Sequence, residues 1–171
     1  HHAPHTPIEA KSADVEHFRG KLKETLHHRN ATYAAMVKSL DDSVGRVVQR
    51  LKERELLDNT IVVFTSDNGG FIGMSKQDKP PIPVTDNTPL RSGKGTLYEG
   101  GVRVPLIVKW PGVTPRGAVC SEPVILTDLF ETLRAAAGLP QPDKFPHDGL
   151  DLAPLLRDPS ASLPRDALYF H

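Results

Sequence analysis

The sequence predicts an α/β fold in which a mixed, mostly parallel sheet is flanked by helices. Three stretches carry that expectation. Ile61-Val-Val-Phe-Thr65 is an unbroken β-branched and aromatic run, the pattern of a strand buried on both faces. Ahead of it, Tyr33, Met36, Val37, Leu40, Val44, Val47, Val48 and Leu51 recur at spacings of three and four, which predicts a long helix over 30–57. Beyond it, Val102–Trp110 reads as a second strand, with Pro105 marking an edge or a bulge. Helix, short turn (Leu57-Asp58-Asn59) and buried strand follow one another as they do in α/β sheets.

The remaining elements are weaker. The chain opens with three histidines in five residues, His1, His2 and His5, read as loop imidazoles because a zinc site would need a fourth ligand and better spacing. Lys11–His28 is charged and sparsely apolar, a surface loop and short helix with His27 and His28 on a solvated face. The charges of the long helix mostly fall off its apolar stripe, and Asn30-Ala-Thr32 is a glycosylation sequon that matters only in a eukaryotic secretory protein. Residues 71–90 hold four prolines and no periodicity, an irregular segment of the kind that is functional or mobile. Val119–Val124 predicts a short strand. Thr127–Ala137 predicts a helix with Thr127 as N-cap, Gly138 as its end, and Leu129, Phe130 and Leu133 facing inward. Leu150–Leu156 suits a helical turn. Ala167–Phe170 reads as a strand in which the chain stops, so residues 1–171 are expected to be a single partial domain excerpted from a longer protein.

Composition narrows the function classes. Lys plus Arg and Asp plus Glu are each 21, so no basic excess points to nucleic acid or an acidic membrane surface. No run approaches the length of a membrane span. Cys120 is the one cysteine, which excludes an internal disulfide.

The chemistry-bearing residues sit at strand and loop ends. The central strand stops on Ser66-Asp-Asn-Gly-Gly70. In open α/β sheets ligands bind at that carboxyl end, and Asp67 and Asn68 are hard oxygen donors suited to Ca²⁺ or Mg²⁺. Lys94, between Gly93 and Gly95, can present its ammonium to a tetrahedral oxyanion. This is no P-loop, since Thr88 stands where that motif needs its first glycine and Gly95 where it needs Ser or Thr. Nor does the acid spacing fit an EF-hand. Asp67, Asn68, Lys94 and His5 form a coherent set for hydrolysing a sulfate or phosphate ester: metal and lysine stabilise the transferring group, and the histidine binds an oxygen or protonates the leaving alcohol.

Thr65-Ser-Asp-Asn-Gly-Gly70 followed by Gly93-Lys-Gly-Thr-Leu-Tyr-Glu-Gly-Gly-Val-Arg-Val-Pro105 resembles the second half of the catalytic domain of sulfatases, arylsulfatase-type enzymes of the alkaline-phosphatase-like superfamily. His2-Ala-Pro-His-Thr-Pro7, Ser121–Thr132 and His147–Leu156 look like further segments of that family. The resemblance implies a partial sulfatase-like sandwich. It implies that Asp67 and Asn68 are the late pair of Ca²⁺ ligands, with Mg²⁺ as the alternative ion. It also implies that Lys94 and His5 contact the sulfate, while Glu99 and Arg103 are structural. The substrate implied is a sulfate-ester small molecule or sulfated glycan, and the location periplasmic or secreted.

The departures from the family matter as much. Its nucleophile is a formylglycine made within Cys/Ser-x-Pro-x-Arg. After Cys120 the proline is one place late and arginine is absent; after Ser121, Ile125 replaces the arginine. An early Asp-Asp metal pair is also absent. The expectation is therefore that these residues alone bind metal weakly, hydrolyse nothing and expose a sheet edge. Two rival readings are a phosphate or phosphonate ester hydrolase of the same superfamily and a non-catalytic anion-binding or interaction module.

Overall fold

A computed structural model describes residues 2–76, 80–141 and 148–170. The chain forms two compact units, one of residues 1–58 and 68–105, the other of 59–67 and 106–171.

In the first unit, α1 (Ser12–Arg19) packs on α2 (Ala31–Glu53). The long helix is shorter at both ends than the 30–57 expected, and Asn30 sets its start. The Asn30 Oδ1 accepts from the Tyr33 N–H at 2.9 Å, satisfying one of the orphan amides of the first turn. Asn30 is only 5% exposed, so the folded chain does not present the sequon. The apolar stripe closes mainly at its start. Ala35 and Met36 are buried, whereas Val37 and Val47 are exposed. Met36 meets Ile8 and Val84 in a small core, with Tyr33, Ala3 and Ala10 against it. Lys38 ties the two helices, 3.6 Å from Asp14, while holding Asp42 at 2.6 Å. His27 and His28 are exposed, yet they are not merely solvated. His28 Nδ1 lies 3.3 Å from the Thr85 hydroxyl and His27 Nδ1 lies 3.7 Å from Asp86.

In the second unit, β1 (Val62–Thr65) pairs antiparallel with β2 (Leu106–Lys109), Val63 opposite Val108 and Phe64 opposite Ile107. These are the strands found among the described residues, so the mostly parallel character expected of the sheet does not appear in this pair. β1 is half-buried along its length rather than buried on both faces, since a two-stranded ribbon can cover little of itself. β2 begins only after Pro105, which lacks an N–H for the ladder. The sequence ahead of it, read as strand from Val102, ends instead in the short helix α3 (Glu99–Val102) of the first unit. The strand expected over 119–124 does not form. Val119 is 84% exposed, Pro123 has no N–H to give, and the Glu122 carboxylate accepts from Leu163 N at 3.2 Å. Nor does 167–170 form one.

α4 (Asp128–Ala136) and α5 (Ala153–Arg157) complete this unit. Thr127 makes no capping bond, Phe130 and Leu133 are exposed, and Asp128, Glu131 and Thr132 are the buried residues of α4. The Asp128 side chain instead accepts from the Ile125 N–H, ahead of the helix, at 2.9 Å. Gly138 ends the helix at φ 66°, as expected. Leu152, Leu155 and Leu163 form the core here, with Leu106, Val124 and Leu129 packed on it.

Candidate active site

The Lys94 loop is built from glycines packed on carbonyls. Gly69 N–H donates to the Gly101 carbonyl (2.8 Å), Gly100 N–H to Arg91 (2.9 Å), and Lys94 N–H to Gly70 (3.0 Å). The turn that begins at Asn68 is thereby sewn to the loop that carries Lys94. The sequence singled out both stretches; their direct backbone contact is what the fold adds. Thr96 closes the loop on itself, giving both its N–H (3.2 Å) and its hydroxyl (2.9 Å) to the Gly93 carbonyl. Ser92 stands at φ 64°, a left-handed conformation uncommon for a residue with a Cβ.

The packing leaves no room for a side chain at Gly100. A Cβ there would lie 2.1 Å from the Ser92 carbonyl oxygen and 2.6 Å from that of Arg91. Gly100→Ala should therefore push the loop apart at a cost of about 1–3 kcal/mol. Urea unfolding of the full-length protein measures this. A loss of a few tenths of a kcal/mol would mean that the loop can shift freely.

The residues singled out from sequence are distributed as follows. Lys94 is exposed. Asn68 is half-buried in the first unit, and Asp67 is exposed at the end of β1 in the second. His5 is exposed, and its contacts are local. Its N–H donates to the His2 carbonyl, its Nδ1 donates to the Thr6 carbonyl at 2.9 Å, and its ring tilts against that of His2 at 6.1 Å. Among the described residues no three His, Cys, Asp or Glu side chains converge. Asp67 and Asn68 are the hard oxygen donors that the sequence leads one to expect for Ca²⁺ or Mg²⁺. Glu99 and Arg103 pair with each other at 3.1 Å on the surface. Cys120 is exposed and unbonded to sulfur. His1 and His147 lie outside the described residues.

Two features of the loop escaped the sequence. The Arg91 guanidinium lies over the Tyr98 ring, 3.8 Å from its centroid. Asn87, in the irregular 71–90 segment, aims its amide at the carbonyls that shape the Lys94 loop.

The family model described as Sulfatase matches residues 1–139. A sulfatase of Formosa agariphila is 40% identical over 93% of this chain and 29% of its own length. The N-acetylgalactosamine-6-sulfatase of Sus scrofa is 39% identical over 87% of this chain and 27% of its own. Among solved structures, Ps i-CgsB in complex with k-i-k-neocarrahexaose superposes with a TM-score of 0.75 at 38% identity, covering 90% of this chain and 31% of that one. The chain thus spans less than a third of the length of each of these three proteins. The α/β architecture is accounted for by this kinship: the chain belongs to the sulfatase family.

Proposed function

We propose that the protein carrying this chain hydrolyses sulfate monoesters of saccharides, with Lys94 and His5 contacting the sulfate and Asp67 and Asn68 contributing to a Ca²⁺ site. The observation that carries the reading is the bond from Lys94 N–H to the Gly70 carbonyl, which holds the lysine loop against the turn opened by Asn68. An ammonium fixed in this way can meet an anion without reorganising the backbone. A saccharide is favoured because relatives are named for N-acetylgalactosamine 6-sulfate and solved in complex with a neocarrahexaose. Bound by Asp67 and Asn68, Ca²⁺ would supply positive charge to the sulfuryl oxygens; Mg²⁺ is the alternative ion. Two donors are far short of the six to eight that Ca²⁺ takes. These 171 residues also hold no Cys/Ser-x-Pro-x-Arg sequence for a formylglycine. By themselves they are expected to be inactive. A periplasmic or extracellular location belongs to the same proposal. No helix among the described residues is long and apolar enough to cross a membrane.

The test is sulfate release by the full-length protein from an aryl sulfate and from sulfated galactose derivatives, beside the matching phosphate esters. Activity should fall on chelation with EGTA and return with Ca²⁺. Asp67→Ala should raise the Ca²⁺ concentration for half-maximal activity by about tenfold or more, in line with the loss of one charged ligand. Turnover of phosphate esters alone would overturn the reading. Activity indifferent to both chelation and Asp67→Ala would remove the metal from it.

A further inference from the structure

The geometry points to Asn87 as the positioning residue that sets Lys94 in place, an inference that rests on the sulfate-contacting role proposed for that lysine. The side-chain amide of Asn87 carries two hydrogens and faces three carbonyl oxygens. Nδ2 lies 2.9 Å from Gly70 O, 3.0 Å from Ser92 O and 3.3 Å from Gly100 O. Each of the three is a joint of the site. Gly70 O also accepts the Lys94 N–H, so one oxygen is shared by the lysine's backbone and the clamp. Ser92 O belongs to the residue held at φ 64°, two places before Lys94. Gly100 belongs to the segment whose neighbour Gly101 binds Gly69.

Asn87 is itself presented by a local device. The Asp86 carboxylate accepts the Thr88 N–H at 2.8 Å and the Thr88 hydroxyl at 2.6 Å, an Asx-turn that directs the intervening residue inward. The Thr88 hydroxyl and N–H, with His27 and His28 nearby, hold the Asp86 carboxyl below the usual range. Without the Asn87 donor, three carbonyls that now converge on one amide would repel one another. Ser92 would then have reason to leave the left-handed region, carrying Gly93 and Lys94 with it.

The test uses the full-length protein with Asn87→Asp and Asn87→Ala. Aspartate keeps the shape and removes the donor; alanine removes both. Each should lower kcat/KM on an aryl sulfate by roughly 10- to 100-fold, the scale of a misplacement of about 1 Å in a reacting group. If Asn87 acts through Lys94, the Lys94→Ala/Asn87→Asp double variant should be no worse than Lys94→Ala alone, within about threefold. Amide exchange in 91–101 should accelerate in Asn87→Asp while α4 keeps its protection. Multiplying losses in the double variant, or unchanged exchange in 91–101, would overturn the inference. Should Lys94→Ala leave hydrolysis untouched, the role proposed for the lysine fails instead, and the exchange measurement still decides whether Asn87 clamps the loop.

Discussion

Lys94→Ala in the full-length protein should lower kcat on a sulfate ester by about 100- to 1,000-fold, the scale seen when a preorganised charge-stabilising group is removed. The expectation follows from where the ammonium stands. Lys94 is exposed, and its backbone is fixed by the Gly70 carbonyl, so the side chain starts from a rigid base. Negative charge builds on the oxygens as the ester bond to the leaving alcohol breaks. An ammonium beside them gains more in the transition state than in the ground state, so kcat should fall further than KM rises. Lys94→Arg should not rescue it, because a planar fork replaces a compact point charge on a loop with no slack at Gly93 or Gly100. A Lys94→Ala loss of less than about tenfold would mean that the lysine is outside the reaction.

How much of this was legible beforehand depended on the range of the forces involved. The α2 helix and both strands came from apolar spacing, which is a local property, and only their ends shifted. The end at Asn30 shifted because a side-chain cap outranks periodicity. Lys94 stood out because glycines on both sides are a local signal as well. Asn87 did not. Its three acceptors are main-chain carbonyls, the farthest in sequence being Gly70, and an asparagine beside a proline-rich stretch looks like any turn. The pairing of the turn at 68–70 with the loop at 91–101 is likewise a matter of tertiary packing.

α4 shows the same limit more sharply. Its period was read correctly and its buried face only in part, since Leu129 does pack on the core. Phe130 and Leu133 were expected inside, yet the buried positions are Asp128, Glu131 and Thr132. Hydrophobicity could not choose the face, because the partner that makes burial of Asp128 tolerable is Arg165, 37 residues on. Burying a carboxylate is costly unless it is paired and hydrogen-bonded, and here it is both.

That pair should make Asp128→Asn one of the most damaging changes in the second unit. Asp128 is fully buried and accepts four bonds: from Ile125 N–H, from Leu150 N–H (both 2.9 Å) and from the two terminal nitrogens of Arg165 (2.9 and 2.8 Å). Thr132 extends the network, its hydroxyl donating to the Asp128 carbonyl and accepting from Leu152 N–H. One carboxylate therefore holds the start of α4, the 150–152 segment and Arg165 together. Removing one partner of such a pair leaves the other charge uncompensated, at about 3–5 kcal/mol. Urea unfolding of the full-length protein should register the loss, with faster amide exchange at 125–134 and 148–157. Acid should expose the same dependence. Burial alone would push the Asp128 carboxyl up, but Arg165 and the two backbone N–H groups outweigh it and hold the carboxyl below the usual range. A folded value below the unfolded one means that the stabilisation is fully present above the unfolded carboxylate's pKa, about 3.9. It is lost as pH falls through the folded value. Protection at 148–157 in the unsubstituted protein should hold down to about pH 4 and decline below it. In Asp128→Asn it should be low at every pH. A variant within about 1 kcal/mol of the parent would show that desolvation of Asp128 and Arg165 cancels what the four bonds contribute.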